Sequence, residues 1–98
     1  MKDNLKTVGM FGQLHYQHLK QTKPSIIGVM RMNKNLISYL QAVDAQANEM
    51  LFQLVKQISK QEGVTEELKR RDQMAWIGAM NNIHARAKEI VMNEVILI

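Results

Sequence analysis

Ninety-eight residues with 46% hydrophobic and only 5% aromatic side chains predict one small domain, 1–98, whose core is aliphatic and rich in methionine. The chain has no cysteine, no apolar run of the roughly 20 residues that span a membrane, and no apolar block typical of a signal peptide. The net charge of +4 is uneven, because residues 1–35 carry six basic side chains and one acidic, whereas residues 36–98 carry seven basic and eight acidic. We therefore expect a cytoplasmic protein with a basic N-terminal segment (1–35) on a nearly neutral scaffold (36–98).

Two short helices are predicted in the basic segment. Phe11, Leu14 and Leu19 lie on one face of a helix over about 10–21. Pro24 suits the first turn of a second helix that extends to about Arg31.

A long helix is predicted next, from about 35 to 61, with a length of about 40 Å. Its apolar positions step by three and four residues: Leu36, Leu40, Val43, Ala47, Leu51, Leu54 and Ile58. Asn33 or Asn35 suits its N-cap, and Gly63 suits its C-terminal stop.

A second long helix is predicted from Thr65 to about residue 94, with Glu66 and Glu67 in its first turn. Because few residues join the two helices, we expect an all-α fold built on a long antiparallel helical hairpin with one or two short N-terminal helices. Two broad apolar stripes need more cover than such a hairpin provides, which favours a helical-bundle homodimer. A monomeric three- or four-helix fold is the alternative.

Catalytic motifs are missing from the sequence. None of its serines lies in a G-x-S-x-G turn, and no glycine-rich phosphate loop occurs. His15 and His18 are spaced to share a metal on a helix, with His84 as a third ligand, but a hydrogen-bonded, half-buried His15 is the favoured interpretation. We therefore expect no enzyme, no cofactor and no metal.

Three side chains of the last helix have two interpretations each. Trp76 suits either base stacking or, preferably, core packing. Asn81 and Asn82 interrupt an apolar stretch, so we expect one of them at a helix contact, with a functional amide contact as the alternative.

Basic side chains are the candidate binding residues, for nucleic acid or for a protein partner. The first group lies in the N-terminal segment and comprises Lys20, Lys23, Arg31 and Lys34. The second is predicted at the hairpin tip and comprises Lys69, Arg70 and Arg71. An ordinary solvated surface is the alternative for both groups.

Several motifs resemble those of the transposon-encoded protein TnpV family. Residues 73–83 (QMAWIGAMNNI) carry the most specific likeness, and Gly12, Gln13, His15 and Leu19 match a G-Q-x-H-x-x-x-L segment. The resemblance covers about residues 9–96. Members often have a longer segment before the G-Q motif, and they commonly have Arg at the position of His84. The resemblance implies a small accessory protein of a bacterial mobile element and carries over no catalytic residues.

Two functions fit that context. The first is counter-defence, in which the protein inhibits a host RNA-guided CRISPR nuclease, or its RNA complex, by stoichiometric binding. The alternative is a DNA-binding accessory or regulator of transposition, for which residues 24–34 offer Arg31, Asn33 and Lys34 as base-reading side chains.

Overall fold

Helices joined by short turns make up most of the described chain. The computed structural model describes residues 4–98, and no strand occurs within that range. The α-helices are α1 (Met10–Thr22), α2 (Pro24–Met32), α3 (Leu36–Gln61), α4 (Glu66–Arg71) and α5 (Gln73–Val91), and a π-helical turn (Met92–Ile96) follows α5. The predicted all-α fold and both short N-terminal helices are confirmed.

The long helix α3 ends where the sequence predicts. Gly63 adopts the left-handed conformation, with φ of 71°, immediately after the helix. The N–H of Val64 then donates to the carbonyl of Ser59 at 2.9 Å, and the N–H of Gly63 donates to that of Lys60 at 3.4 Å. This pair of bonds is the Schellman motif, which satisfies the last carbonyls of a helix.

The second half of the chain differs from the single helix predicted from Thr65 to about 94. Asp72 has an extended backbone, with φ of −150° and ψ of 89°, and it separates α4 from α5. Its carboxylate accepts a hydrogen bond from the N–H of Ala75 at 3.1 Å, so it caps a new helix. The prediction of one continuous helix was wrong because a strong N-cap residue lies inside the apolar pattern.

Buried side chains gather at one end of an elongated molecule that measures 55 × 22 × 17 Å. Helix α1 packs on α3 and on the π-helical turn, and α5 runs back along α3. One cluster comprises Phe11, Val43, Ala47, Val91, Val95 and Ile96. The other comprises Val8, Leu19, Ile27, Leu36 and Leu40. We call residues 48–82 the distal end, where Val64 is the one buried hydrophobic side chain.

Candidate binding surfaces

The first predicted basic group surrounds α2. Lys20, Lys23, Arg31 and Lys34 are all exposed. Lys20 is near the end of α1, and its Nζ lies 5.8 Å from the ring centroid of Tyr16. The other three lie before, in and after α2, so short connections bring the four side chains to one end of the molecule.

Helix α2 presents an apolar face between these cations. Ile26, Val29 and Met32 are 41%, 57% and 83% exposed. Their spacing of three residues places them along one side of the helix. Base-reading helices present amide and guanidinium groups instead, so this face is a poor match for a DNA-recognition helix.

The second predicted basic group lies on α4, at the opposite end of α3. Lys69, Arg70 and Arg71 are exposed, and Glu66 precedes them in the first turn of α4. Helix α2 leads into the start of α3 and α4 follows its end, so the 26 residues of α3 separate the two basic groups by about 39 Å. The structure therefore gives two separate candidate surfaces.

An apolar groove at the distal end was not predicted. Phe52, Val55, Trp76 and Met80 line it, and its volume is about 390 Å³. Phe52 is 61% exposed and lies away from the buried stripe of α3. That off-stripe position is the sequence signal that could have indicated the groove.

Trp76 therefore differs from the core residue that the apolar stripe favours. Its ring is half-buried in the groove, and Nζ of Lys69 lies 4.7 Å from the ring centroid. This distance allows a cation–π contact, which joins the second basic group to the groove. Asn81 and Asn82 are both exposed, so neither lies buried at a contact between helices within the described chain, contrary to the expectation for a single chain.

His15 of the G-Q-x-H motif connects α1 to α3 and to the π-helical turn through both ring nitrogens. His15 is 1% exposed, and its Nδ1 donates to the carbonyl of Ile96 at 2.7 Å. In the neutral ring, Nε2 then accepts a hydrogen bond from the hydroxyl of Tyr39 at 2.8 Å. The favoured interpretation of His15 as a hydrogen-bonded packing residue is confirmed, with deeper burial than expected.

The same motif places the start of α1 against α3. The N–H of Gly12 donates to the carboxylate of Asp44 at 3.1 Å. Gln13 donates from its side-chain amide to the carbonyl of Val8 at 2.7 Å. Asp44 thus supplies a negative charge at the N-terminus of α1, whose own first turn has no acidic residue.

One exposed ion pair connects the end of α3 to α5. Arg86 donates to both carboxylate oxygens of Glu62 at 2.8 Å. These hydrogen bonds lower the pKa of Glu62 and raise the pKa of Arg86 relative to their ordinary values. Both side chains are 44% exposed, so solvent screens the pair and its effect on stability is small.

Among residues 4–98, no three histidine, aspartate or glutamate side chains are grouped so that they could bind one metal ion. Every helix in that range is too short or too polar to cross a lipid bilayer.

These observations define a small all-α protein with its core at one end and cationic and apolar surfaces outside it. The model of the family described as transposon-encoded protein TnpV matches residues 1–96 of the chain. The chain belongs to this family, which confirms the resemblance found in its motifs. Neither a curated protein nor a solved structure matches the chain significantly.

Proposed function

We propose that this protein is a non-enzymatic accessory of a bacterial mobile element that acts in the cytoplasm by stoichiometric binding. Its target is a host RNA-guided nuclease or the RNA complex of that nuclease, so the protein is an inhibitor of the anti-CRISPR type. Membership of a transposon-encoded family supports the mobile-element context. Family membership does not specify the target, which is the part that we propose.

The observation that carries this proposal is the composition of the two candidate surfaces. Each has exposed cations beside apolar side chains that reach the surface: Arg31 with the exposed Met32 at one end, and Lys69 with the half-buried Trp76 at the other. Cations favour phosphates or acidic groups, whereas exposed apolar side chains favour a protein surface. A nucleoprotein offers both phosphate groups and a protein surface, and the two candidate surfaces at the two ends of α3 suit such a combination.

A DNA-binding accessory is the competing function, and its distinguishing property is affinity for free duplex DNA. The apolar face of α2, with Ile26, Val29 and Met32 exposed, offers little base readout. We therefore rank this function second and make it an outcome of the same experiment.

We propose a homodimer as the binding form. The support is the number of large apolar side chains left exposed on one chain, such as Met32 and Met74, which are 83% and 78% exposed. Light scattering should give about twice the chain mass of 11.3 kDa. A single-chain mass at all concentrations would refute the dimer and leave the inhibitor proposal intact.

The decisive experiment titrates the purified protein into an assembled RNA-guided nuclease and measures cleavage of a labelled target. Gel shifts with free duplex DNA at low and moderate salt are run in parallel. We expect cleavage to fall to zero at a fixed molar ratio, without a sequence-dependent DNA shift. A sequence-dependent shift with unimpaired cleavage would refute the inhibitor and support the DNA-binding accessory.

Alanine variants test the first basic group directly. Combined substitution of Lys20, Lys23, Arg31 and Lys34 should weaken nuclease inhibition at least about tenfold, because several charge contacts are lost together. If RNA phosphates are the contacts, the slope of log affinity against log salt should also fall by about 0.7–0.9 per contact. Unchanged inhibition would show that these side chains are ordinary solvated surface.

The second basic group is tested by a variant with Lys69, Arg70 and Arg71 replaced by alanine. A control that combines Lys6→Ala with Lys88→Glu, at two exposed lysines outside both groups, makes the same change of three units in net charge. We expect the triple variant to weaken inhibition and the control to inhibit like the original chain. Equal effects would assign the loss to net charge.

A further inference from the structure

We propose that the groove at the distal end binds an acidic amphipathic helix of a protein partner. The inference rests on the proposal that the protein acts by binding, and it specifies the chemistry of one segment of the partner. It does not require that the partner be a nuclease.

The floor of the groove is apolar and is not part of the core. Phe52, Val55, Trp76 and Met80 belong to neither buried cluster. Phe52 alone exposes 61% of its surface, which is unfavourable in water unless a ligand covers it. Such a floor suits apolar side chains better than bases or sugars, which need polar partners.

The rim of the groove is mostly cationic. Lys56 and Lys60 of α3 lie along one side, and Lys69 sits over Trp76. Glu66 is the single acidic residue of the lining. Acidic side chains beside the apolar face of an incoming helix would therefore meet opposite charge.

Charge also argues against a second copy of this chain as the occupant. In a two-fold symmetric contact centred on the groove, Lys56 and Lys60 of one copy would approach the same lysines of the other. Like charges held close together oppose association. The proposed homodimer must therefore use apolar surface outside the groove.

The dimensions of the groove match a short helical segment. Its α3 wall extends from Phe52 to Lys60, a rise of about 12 Å. Apolar anchors at positions i, i+4 and i+7 of a docked helix span about 10.5 Å. The volume of 390 Å³ lies in the range of ligand sites and suits a few aliphatic side chains.

Trp76 makes the inference directly measurable, because it is the only tryptophan of the chain and lies in the groove. The probes are two helical peptides without tryptophan, which share leucines at i, i+4 and i+7 and carry either glutamate or lysine elsewhere. The acidic peptide should shift the Trp76 emission and saturate, with an affinity at least about tenfold above that of the basic peptide. Equal affinity for both peptides, or no shift with either, would overturn the inference.

Charge reversal sharpens the test. Lys56→Glu combined with Lys60→Glu should invert the peptide preference. Lys6→Glu combined with Lys88→Glu makes the same change in net charge away from the groove and should preserve it. Phe52→Ala should weaken acidic-peptide binding without loss of helicity, since this side chain is largely exposed. If the control inverts the preference as well, net charge and not the groove determines binding.

Two further outcomes separate this inference from others. If Trp76 emission and molecular mass both change with protein concentration in the absence of peptide, the occupant is a second copy and the inference is wrong. If peptide binding is observed but no RNA-guided nuclease is inhibited, the proposed function fails and the groove assignment stands. If a nuclease is inhibited but neither peptide binds, the groove assignment fails and the proposed function stands.

Discussion

Helices α1 and α3 approach each other closely at Gly12, and this contact reverses the effect on stability that a glycine-to-alanine substitution in a helix usually has. A Cβ atom at this position would lie 2.6 Å from the carbonyl oxygen of Leu40 and would also meet the side chain of Val8. The carbonyl belongs to the backbone of α3, so relief requires α1 to move away. Gly12→Ala should therefore destabilise the fold, even though alanine is the better helix former.

The magnitude follows from opposing contributions. Alanine gains about 0.8–1 kcal/mol in helix propensity over glycine. Overpacking costs about 1–3 kcal/mol, and strain on the hydrogen bond from the Gly12 N–H to Asp44 costs about 0.5–1.5 kcal/mol. We expect a net loss of about 0.5–3.7 kcal/mol, with a fall in Tm of roughly 4–8 °C for each kcal/mol.

Gly78→Ala is the matched control. Gly78 lies inside α5, and a Cβ there would meet nothing within 4 Å. This substitution should raise the free energy of unfolding by about 0.5–1 kcal/mol. Thermal and urea unfolding, followed by circular dichroism at the helical minimum, should place the two variants on opposite sides of the original chain. If Gly12→Ala proves as stabilising as Gly78→Ala, the described packing of α1 on α3 is wrong.

Three other variants test individual contacts. Asp72→Ala should lower the unfolding free energy by about 1 kcal/mol through loss of the α5 cap, Asp72→Asn should largely restore it, and equal values from urea unfolding would contradict the capping role. Tyr39→Phe should cost about 0.5–1.5 kcal/mol in the same assay because the hydrogen bond to His15 is lost, and no change would argue against that bond. Glu62→Gln should lower Tm slightly near pH 7, and the difference should disappear in acid, once Glu62 is protonated in the folded protein as well. The contact with Arg86 lowers the pKa of Glu62 and stabilises the fold only while the carboxylate is ionised, so this contribution is lost as the pH falls. A difference in Tm that persists in acid would contradict this explanation.

The main helices could be predicted because their signals are local. Apolar spacing and Gly63 together defined α3 to within a residue, and Pro24 correctly indicated the start of α2. The break at Asp72 was missed although its signal is also local. The helical spacing of apolar residues continues on both sides of Asp72, and the prediction gave that spacing more weight than the capping propensity of a single residue.

The arrangement of the surfaces depends on tertiary contacts that no local pattern records. Trp76 lies on an apolar stripe, but α1 and α2 cover only the other end of the molecule, so its ring remains at the surface. Conversely, His15 was recognised as a packing residue, but its partner Ile96 is 81 residues away in sequence. Periodicity shows which face of a helix is apolar, and tertiary packing decides how much of that face is covered.

The uneven distribution of buried side chains has a consequence for local opening. The amides of α1 and of the first half of α3 are protected by both clusters, so their exchange with solvent deuterium should require nearly global unfolding. The distal end has Val64 as its one buried hydrophobic residue, so its amides should exchange through local openings that require less free energy. A ligand seated at this end would slow exchange there and leave the already protected end unchanged. The exchange pattern of the free protein should thus identify the part of the molecule whose local opening a bound partner can suppress.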